Sequence, residues 1–230
     1  MRNKNYIAVL FVLLHVCFAA EAQQGAAILL KMKDAYRDIN QVHLHISSSS
    51  YANHTLAFKQ KSDIYRKDML FRVQYEDVDL YMNDKFVLML MNEDKEAVIR
   101  PISEKEVGYL KQGEILAKNL SLPEVPDSVI VSETDTHYIL LFTSPSAGIV
   151  TSSYVINKKS YLLEQITNVY SKDITGQENS KVVINYTYSF EPVQASVFDA
   201  SKIVTSTGKS FTLTQAYNTY NLRIHNPYEE

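Results

Sequence analysis

The sequence predicts a mainly β protein with helices (α+β), in which one curled antiparallel sheet holds most of the chain. Three observations support this class: tyrosine and β-branched residues are abundant, most segments alternate apolar and polar residues, and short polar turns separate them. The 230 residues include 16 tyrosines, no tryptophan and only 6 glycines. Tyrosine and β-branched residues favour strands. Scarce glycine argues against the glycine-rich loops that cradle nucleotide phosphates.

The first 22 residues have the pattern of an export signal. Arg2 and Lys4 give a short basic start, and residues 6–20 are almost wholly apolar. Ala20 and Ala22 are the small residues that a signal peptidase recognises, so we expect cleavage before Gln23. The apolar run is too short to span a bilayer comfortably. The chain is therefore expected to fold outside the cytosol.

The only cysteine, Cys17, lies inside this signal. Lipid attachment to a cysteine after the apolar run requires a small residue directly before it, and His15-Val16 fits badly. Cleavage at Ala22 then leaves a chain without a thiol, which must be stabilised by an ordinary core. The net charge of −3 gives no reason to expect nucleic acid or an anionic membrane as a partner.

One helix is predicted directly after the signal, over Ala26–Ile39. Apolar residues recur at helical spacing and lysine, arginine and aspartate take the other face. The apolar residues are Ile28, Leu29, Met32, Ala35, Tyr36 and Ile39.

Consecutive hairpins follow, because short alternating segments are separated by polar turns such as Asn83-Asp84. The predicted strands are Val42–Ser48, Thr55–Tyr65, Met69–Tyr75, Leu80–Met82, Phe86–Met91 and Ala97–Ile99.

A short helix over Ser103–Lys111 interrupts the strands, since Ser103 and Glu106 have the spacing of a capping box. Gly113 could end it, and Pro123 and Pro126 mark an irregular connection. Later strands are predicted at Ser128–Ser132, His137–Thr143, Ile149–Ile156, Leu162–Tyr170, Lys181–Phe190, Phe211–Ala216 and Tyr220–Ile224. Ten or eleven strands in antiparallel order make one domain, residues 23–230, and so large a sheet usually curls.

The segment Phe86–Met91 is apolar at every position, unlike a half-exposed strand. A central strand buried on both sides is one interpretation. The other is a strand that lines a cavity, where methionines suit an apolar guest of variable shape. The pattern leaves open which alternate residues face inward.

Arg72 lies between Phe71 and Val73 on a predicted strand. An inward-facing guanidinium needs partners for its donors, and backbone carbonyls of helices that close the cavity could supply them. The alternative is an arginine that faces solvent on a half-exposed strand.

No catalytic constellation is evident. His43 and His45 share a strand face and could ligate zinc with a third ligand, although a solvated face explains them as well. Asp77 and Asp79 fit a polar turn better than a pair of catalytic carboxylates. An enzyme is therefore not expected, and no cofactor or metal is predicted.

Several phrases, taken in order, resemble the periplasmic outer-membrane lipoprotein carrier family, the LolA-like proteins. The resemblance is carried by Leu29–Tyr36, Met69–Tyr75, Tyr81–Met91 with Asn92–Val98, Tyr154–Leu163 and Phe211–Ile224. It implies a periplasmic protein whose fold is an incomplete β-barrel of about eleven strands, with helices as a lid over an apolar cavity.

The resemblance also implies a function. The cavity would hold acyl chains of lipoproteins in transit to the outer membrane, in a monomer that contacts inner- and outer-membrane partner proteins transiently. Arg72 matches the family arginine that holds the lid. The residues expected to bind ligand are Phe71, Arg72, Val73, Met82, Phe86, Leu88, Met89, Leu90 and Met91.

Two features bear on the cargo and the role. Glycine and tryptophan, common in that family near Tyr81–Met91, are replaced here by Asp84-Lys85-Phe86 and a methionine run, which favours a more general apolar ligand. The alternative function is a sensor or interaction module of the same fold in envelope-stress signalling, with no transport role.

Overall fold

The computed structural model describes residues 23–111, 116, 129–146, 148–177, 180–207 and 210–225. The predicted export signal with Cys17, and Gly113, Pro123 and Pro126, lie outside these ranges.

The described residues are mostly strand. The strands are β1 Gln41–Ala52, β2 Thr55–Lys67, β3 Leu70–Tyr75, β4 Val78–Met82, β5 Phe86–Met91, β6 Glu96–Pro101, β7 Ile130–Glu133, β8 His137–Ser146, β9 Ile149–Asn157, β10 Leu163–Tyr170, β11 Lys181–Ser189, β12 Val204–Thr207, β13 Ser210–Leu213 and β14 Asn221–Ile224. Twelve of them form one sheet in the order β14-β6-β5-β4-β3-β2-β1-β11-β10-β9-β8-β7, and β12 pairs with β13 in a separate hairpin. The sheet is unclosed, since β14 and β7 are its edges, and the predicted class of an incomplete antiparallel barrel with helices is confirmed.

Every predicted strand is present with its ends moved by a few residues, and β5 has the predicted bounds. The sequence missed β12 because three of its four residues are serine or threonine, which gives no apolar alternation.

The prediction of antiparallel order throughout is wrong for the last strand, because β14 pairs with β6 in parallel. A 3-10 turn at Gln215–Tyr217 precedes β14. The Asn221 N–H then donates to the Lys95 carbonyl, at 2.7 Å. The Tyr220 hydroxyl donates to Asn92 Oδ1, at 2.9 Å. These bonds fix the start of β14 beside the start of β6, so that the two strands run in the same direction.

Within the described ranges, three α-helical segments longer than one residue accompany the strands: α1 in residues 23–37, α2 Glu104–Lys111 and α3 Lys172–Thr175. Of the predicted stripe, Ile28, Leu29, Met32 and Tyr36 are buried, the last three completely. Ala35 and Ile39 are half-buried, and Ile39 lies beyond the end of α1, which runs two residues shorter than predicted at this end. The Tyr36 hydroxyl accepts from the Leu163 N–H, at 3.2 Å. At Gly25 a side chain would collide with Val129, whose Cγ1 lies 2.2 Å from an ideal Cβ position, so glycine lets the helix approach closely.

The chain divides into two compact units. The first contains the described residues of 1–36, 48–59 and 120–185, and the second those of 37–47, 60–119 and 186–230. The prediction of one domain over 23–230 remains a prediction. In the first unit the buried side chains include Leu140, Phe142, Tyr154, Ile156, Leu163 and Ile166.

The second unit has a core in which β4, β5 and β6 pack against the segment before β12. Its buried members are Tyr81, Phe86, Leu88, Leu90, Ala97, Ile99, Ala200, Ile203 and Val204.

The helix α2 begins with the predicted capping box. The Glu106 N–H donates to Ser103 Oγ at 3.2 Å, and Glu106 Oε2 accepts from the Ser103 N–H at 2.9 Å. Both carboxylate oxygens of Glu106 also accept from Arg100, at 2.8 and 2.5 Å. The Arg100 hydrogen bonds, helped by Ser103, outweigh burial and lower the pKa of Glu106 to about 2.

We predict that Glu106→Gln lowers the free energy of unfolding by about 1 kcal/mol at neutral pH, because the cap and the ion pair lose their charge. The pKa of Glu106 lies below its ordinary value of 4.5, so its contribution is complete above that value and is lost as the pH falls towards 2. Urea unfolding of the wild type and of Glu106→Gln between pH 5 and pH 2 measures this difference in the free energy of unfolding. A stability difference that stays constant between pH 5 and pH 2 would contradict the assignment.

Candidate functional site

The register of β3 to β6 defines two faces of the sheet in the second unit. Val73, Leu80, Met89 and Val98 are direct cross-strand partners and form one row over four strands. Directly paired side chains lie on the same face, and alternate residues lie on the other. We call this side the methionine face; its half-buried apolar residues are Val73, Val78, Leu80, Met82, Met89, Met91 and Val98.

One end of the methionine face is closed by α2. Phe71 and Val87, which both pair with Met82, are only 2% and 7% exposed. Arg66 pairs with Phe71 and is 1% exposed, and its Nη2 donates to the Leu110 carbonyl of α2 at 3.5 Å. Burial lowers the pKa of Arg66, but an arginine stays protonated in proteins.

A second arginine of the same face also reaches α2. Arg100 pairs with Val87 and binds Glu106 through two hydrogen bonds. The charged side chains Arg66, Arg100 and Glu96 lie at the ends of the methionine face, and its central row is wholly apolar. Two arginines therefore fix α2 at one end of an apolar surface.

Arg72 lies on the opposite face. Its Nε and Nη2 donate to Asp79 Oδ1 at 3.2 and 2.8 Å, and its Nη1 donates to the Val197 carbonyl at 3.1 Å. The guanidinium also lies 4.7 Å from the centre of the Tyr81 ring. Burial raises the pKa of Tyr81 to about 12, although Arg72 opposes the rise. Arg72 thus holds the 3-10 turn Ala195–Phe198 to the sheet and makes none of the contacts to α2 described above.

The structure separates the nine residues predicted to bind ligand. It brings five together on the methionine face: Phe71, Val73, Met82, Met89 and Met91. The other four, Arg72, Phe86, Leu88 and Leu90, lie on the opposite face. Leu88 and Leu90 are 0% and 1% exposed, in the core of the second unit.

Sequence reasoning missed several residues of this face, above all Arg66. Arg66 lies two residues after Ile64 in β2, and Arg100 lies two residues after Val98 in β6. Residues two apart in a strand share a face, so this spacing places both arginines on the same side as buried or half-buried apolar residues. The spacing was the signal in the sequence that could have identified them.

A cleft of about 1200 Å³ opens on the face opposite the methionine face. Phe86 and Phe211 meet edge to face in it, with ring centres 5.8 Å apart. Lys85, Asp199 and His225 are the charged or titratable residues of its lining.

His43 and His45, the two histidines considered as zinc ligands, both contact one carboxylate. His43 Nε2 and His45 Nδ1 lie 2.6 and 3.1 Å from Asp63 Oδ1. Burial raises the pKa of Asp63, but the hydrogen bonds from both histidines outweigh it and leave the pKa below its ordinary value. Within the described part of the chain, no group of three or more His, Cys, Asp or Glu is arranged to hold a metal ion.

The predicted pair of aspartates is divided between two roles. Asp79 is the ion-pair partner of Arg72, whereas the Asp77 carbonyl accepts from the Asn92 backbone N–H at 2.8 Å in a turn.

Among the helices of the described ranges, none is long and apolar enough to cross a membrane.

No protein-family model matches the sequence, and no curated protein matches it. Several solved structures are similar to the chain. An uncharacterized conserved protein from Thermus thermophilus is 8% identical, with a TM-score of 0.47, over 86% of this chain and 98% of its own. The Pseudomonas aeruginosa MucA/MucB complex is 8% identical, with a TM-score of 0.42, over 83% of this chain and 63% of that chain.

A LolA superfamily protein from Nitrosomonas europaea is 10% identical, with a TM-score of 0.33, over 75% of this chain and 96% of its own. Proteins of the family that the sequence resembles are thus among the solved structures similar to this chain.

Proposed function

We propose that this protein binds the acyl chain of a lipoprotein, or another ligand of similar apolar shape, on the methionine face and carries it through the periplasm towards the outer membrane. The observation that supports this most directly is the row Val73, Leu80, Met89 and Val98, which is apolar over four strands yet only half-buried.

The dimensions of the methionine face suit a flexible chain. Four neighbouring strands place the outer members of the row about 14 Å apart. Val78, Leu80 and Met82 extend the surface along β4 by about 13 Å. An apolar surface of this kind that remains partly accessible is typical of a binding site.

Methionine gives this surface its adaptability. Three of the 6 methionines of the chain, Met82, Met89 and Met91, lie here. An unbranched, polarizable thioether adjusts its torsions to a guest of variable shape, which a β-branched side chain does less easily. The face therefore favours acyl chains as a class rather than one rigid ligand.

The helix α2 supplies an element that could open. Its polar contacts with the methionine face include the Arg66 bond to the Leu110 carbonyl and the Arg100–Glu106 ion pair, and its Leu110 side chain is buried. Both are polar contacts at the margin of an apolar surface, so they can break without loss of the hydrophobic core on the other face. In the proposed carrier, Arg66 has the lid-holding role that the family resemblance suggests for Arg72.

We predict that the purified exported protein retains an acyl-bearing lipid, which native mass spectrometry followed by organic extraction would identify. After delipidation, Met89→Gln combined with Met91→Gln should weaken binding of a fluorescent fatty acid about tenfold, because two amides must be desolvated under the bound chain. Leu222→Gln is the control: Leu222 is half-buried on the opposite face of the same sheet, beside Ala97. Wild-type protein that takes up no lipid would exclude the carrier function and favour an interaction module.

We predict that Arg66 and Arg72 differ in their effect on α2. Arg66→Leu should raise amide hydrogen exchange in Glu104–Lys111 and speed release of the fatty acid about tenfold, because the Leu110 carbonyl loses its donor. Arg72→Leu should leave both quantities unchanged and loosen residues 195–198 instead. If Arg66→Leu folds poorly, the same two measurements are made on Arg66→Lys, which keeps the positive charge. Faster release in Arg72→Leu alone would return the lid role to Arg72.

A further inference from the structure

The β1–β2 hairpin exposes two large apolar side chains at its tip. Leu56 and Phe58 are 52% and 54% exposed. They are two residues apart on β2 and therefore share a face of that strand. All five residues from Thr55 to Lys59 are exposed, so nothing in the described structure covers this part of the strand.

The tip is held in a defined shape by its turn. Asn53 and His54 have positive φ values of 49° and 64°, as a two-residue hairpin turn of type I′ requires. Asparagine and histidine are among the residues that tolerate this conformation. A preformed hairpin has little conformational entropy to lose when it binds.

The charged residues of the tip itself are basic, and the nearby acidic side chain Glu76 accepts a hydrogen bond from Gln60, which follows Phe58 by two residues, at 3.1 Å. Residues 48–59 contain no aspartate or glutamate, and Lys59 directly follows Phe58. Lys181 lies beside the hairpin, with its Nζ 5.1 Å from the centre of the Tyr51 ring. The whole chain has a net charge of −3, so attraction to an anionic surface would be local to this tip and would orient the protein.

We infer that this tip, formed by Tyr51, Leu56, Phe58, Lys59 and Lys181, docks on an anionic lipid surface. Leu56 and Phe58 enter the boundary between headgroups and acyl chains, while the backbone stays among the headgroups, where its polar groups remain hydrogen-bonded. The lysines bind phosphate groups, since their long stems let the ammonium reach past the strand. A second copy of the chain fits less well, because it would bring two basic tips together. The inference goes beyond acyl binding and does not depend on it.

The absence of tryptophan from the chain gives a clean reporter. In Phe58→Trp the single indole should shift its emission to the blue with vesicles of phosphatidylcholine and phosphatidylglycerol in equal parts, and shift less with phosphatidylcholine alone. Phe190→Trp is the matched control: Phe190 is also 54% exposed, but it precedes Glu191. It should show no shift.

Cosedimentation with the same vesicles tests the side chains. Leu56→Ser with Phe58→Ser should lower partition at least about tenfold. Lys59→Glu with Lys181→Glu should remove the preference for anionic vesicles, and Lys202→Glu, at an exposed site elsewhere, should not. The Met89 and Met91 variants should bind vesicles normally, which separates this result from the acyl-binding test.

Three outcomes would overturn the inference: no partition of the wild type into either vesicle, equal blue shifts at positions 58 and 190, or partition that survives both serine substitutions. Sedimentation of a dimer that these serine substitutions abolish, without any vesicle binding, would assign the tip to a second copy instead.

Discussion

The cross-strand register of β3 to β6 is the constraint on which the second unit depends. A strand sends alternate side chains to opposite faces, so the register that buries Leu88 and Leu90 also directs Met89 and Met91 the other way. Full burial of each leucine contributes about 2 kcal/mol. A slip of one residue would exchange the two sets, placing the methionines in the core and the leucines on the methionine face. The same strand pairing therefore determines which side chains are buried in the core of this unit and which side chains form the methionine face.

This division explains how an apolar face can stay half-buried in a stable unit. The core face is covered by the chain's own segment, because Ala200, Ile203 and Val204 pack on Leu88, Leu90 and Ile99. Arg72 ties the neighbouring 3-10 turn to that face through the Val197 carbonyl. Among the described residues of the second unit, α2 lies at one end of the methionine face through its contacts with Arg66 and Arg100. The apolar side chains of the central row are half-buried rather than fully buried.

The sequence predicted local features well and long-range ones poorly. Phe86–Met91 was placed with its observed bounds, and the Ser103–Glu106 cap was identified, since both depend on neighbouring residues. The parallel pairing of β14 with β6 depends on Asn221 meeting Lys95, which are far apart in the chain. The face of Phe86–Met91 was undecided for the same reason: both parities are apolar, and only the packing of residues 200–204 distinguishes them.

Arg66 and Arg72 show that a resemblance in sequence does not by itself identify which arginine contacts the lid helix. Arg66 and Arg72 both lie on strands rich in apolar residues, and each donates to the backbone carbonyl of a helical segment. They are nonetheless on opposite faces, because Arg72 pairs directly with Tyr65 and Arg66 with Phe71. Removal of either leaves a carbonyl without its donor, but only Arg66 borders the methionine face. A motif identifies a strand that contains an arginine, whereas the register decides whether that arginine can govern access to a ligand.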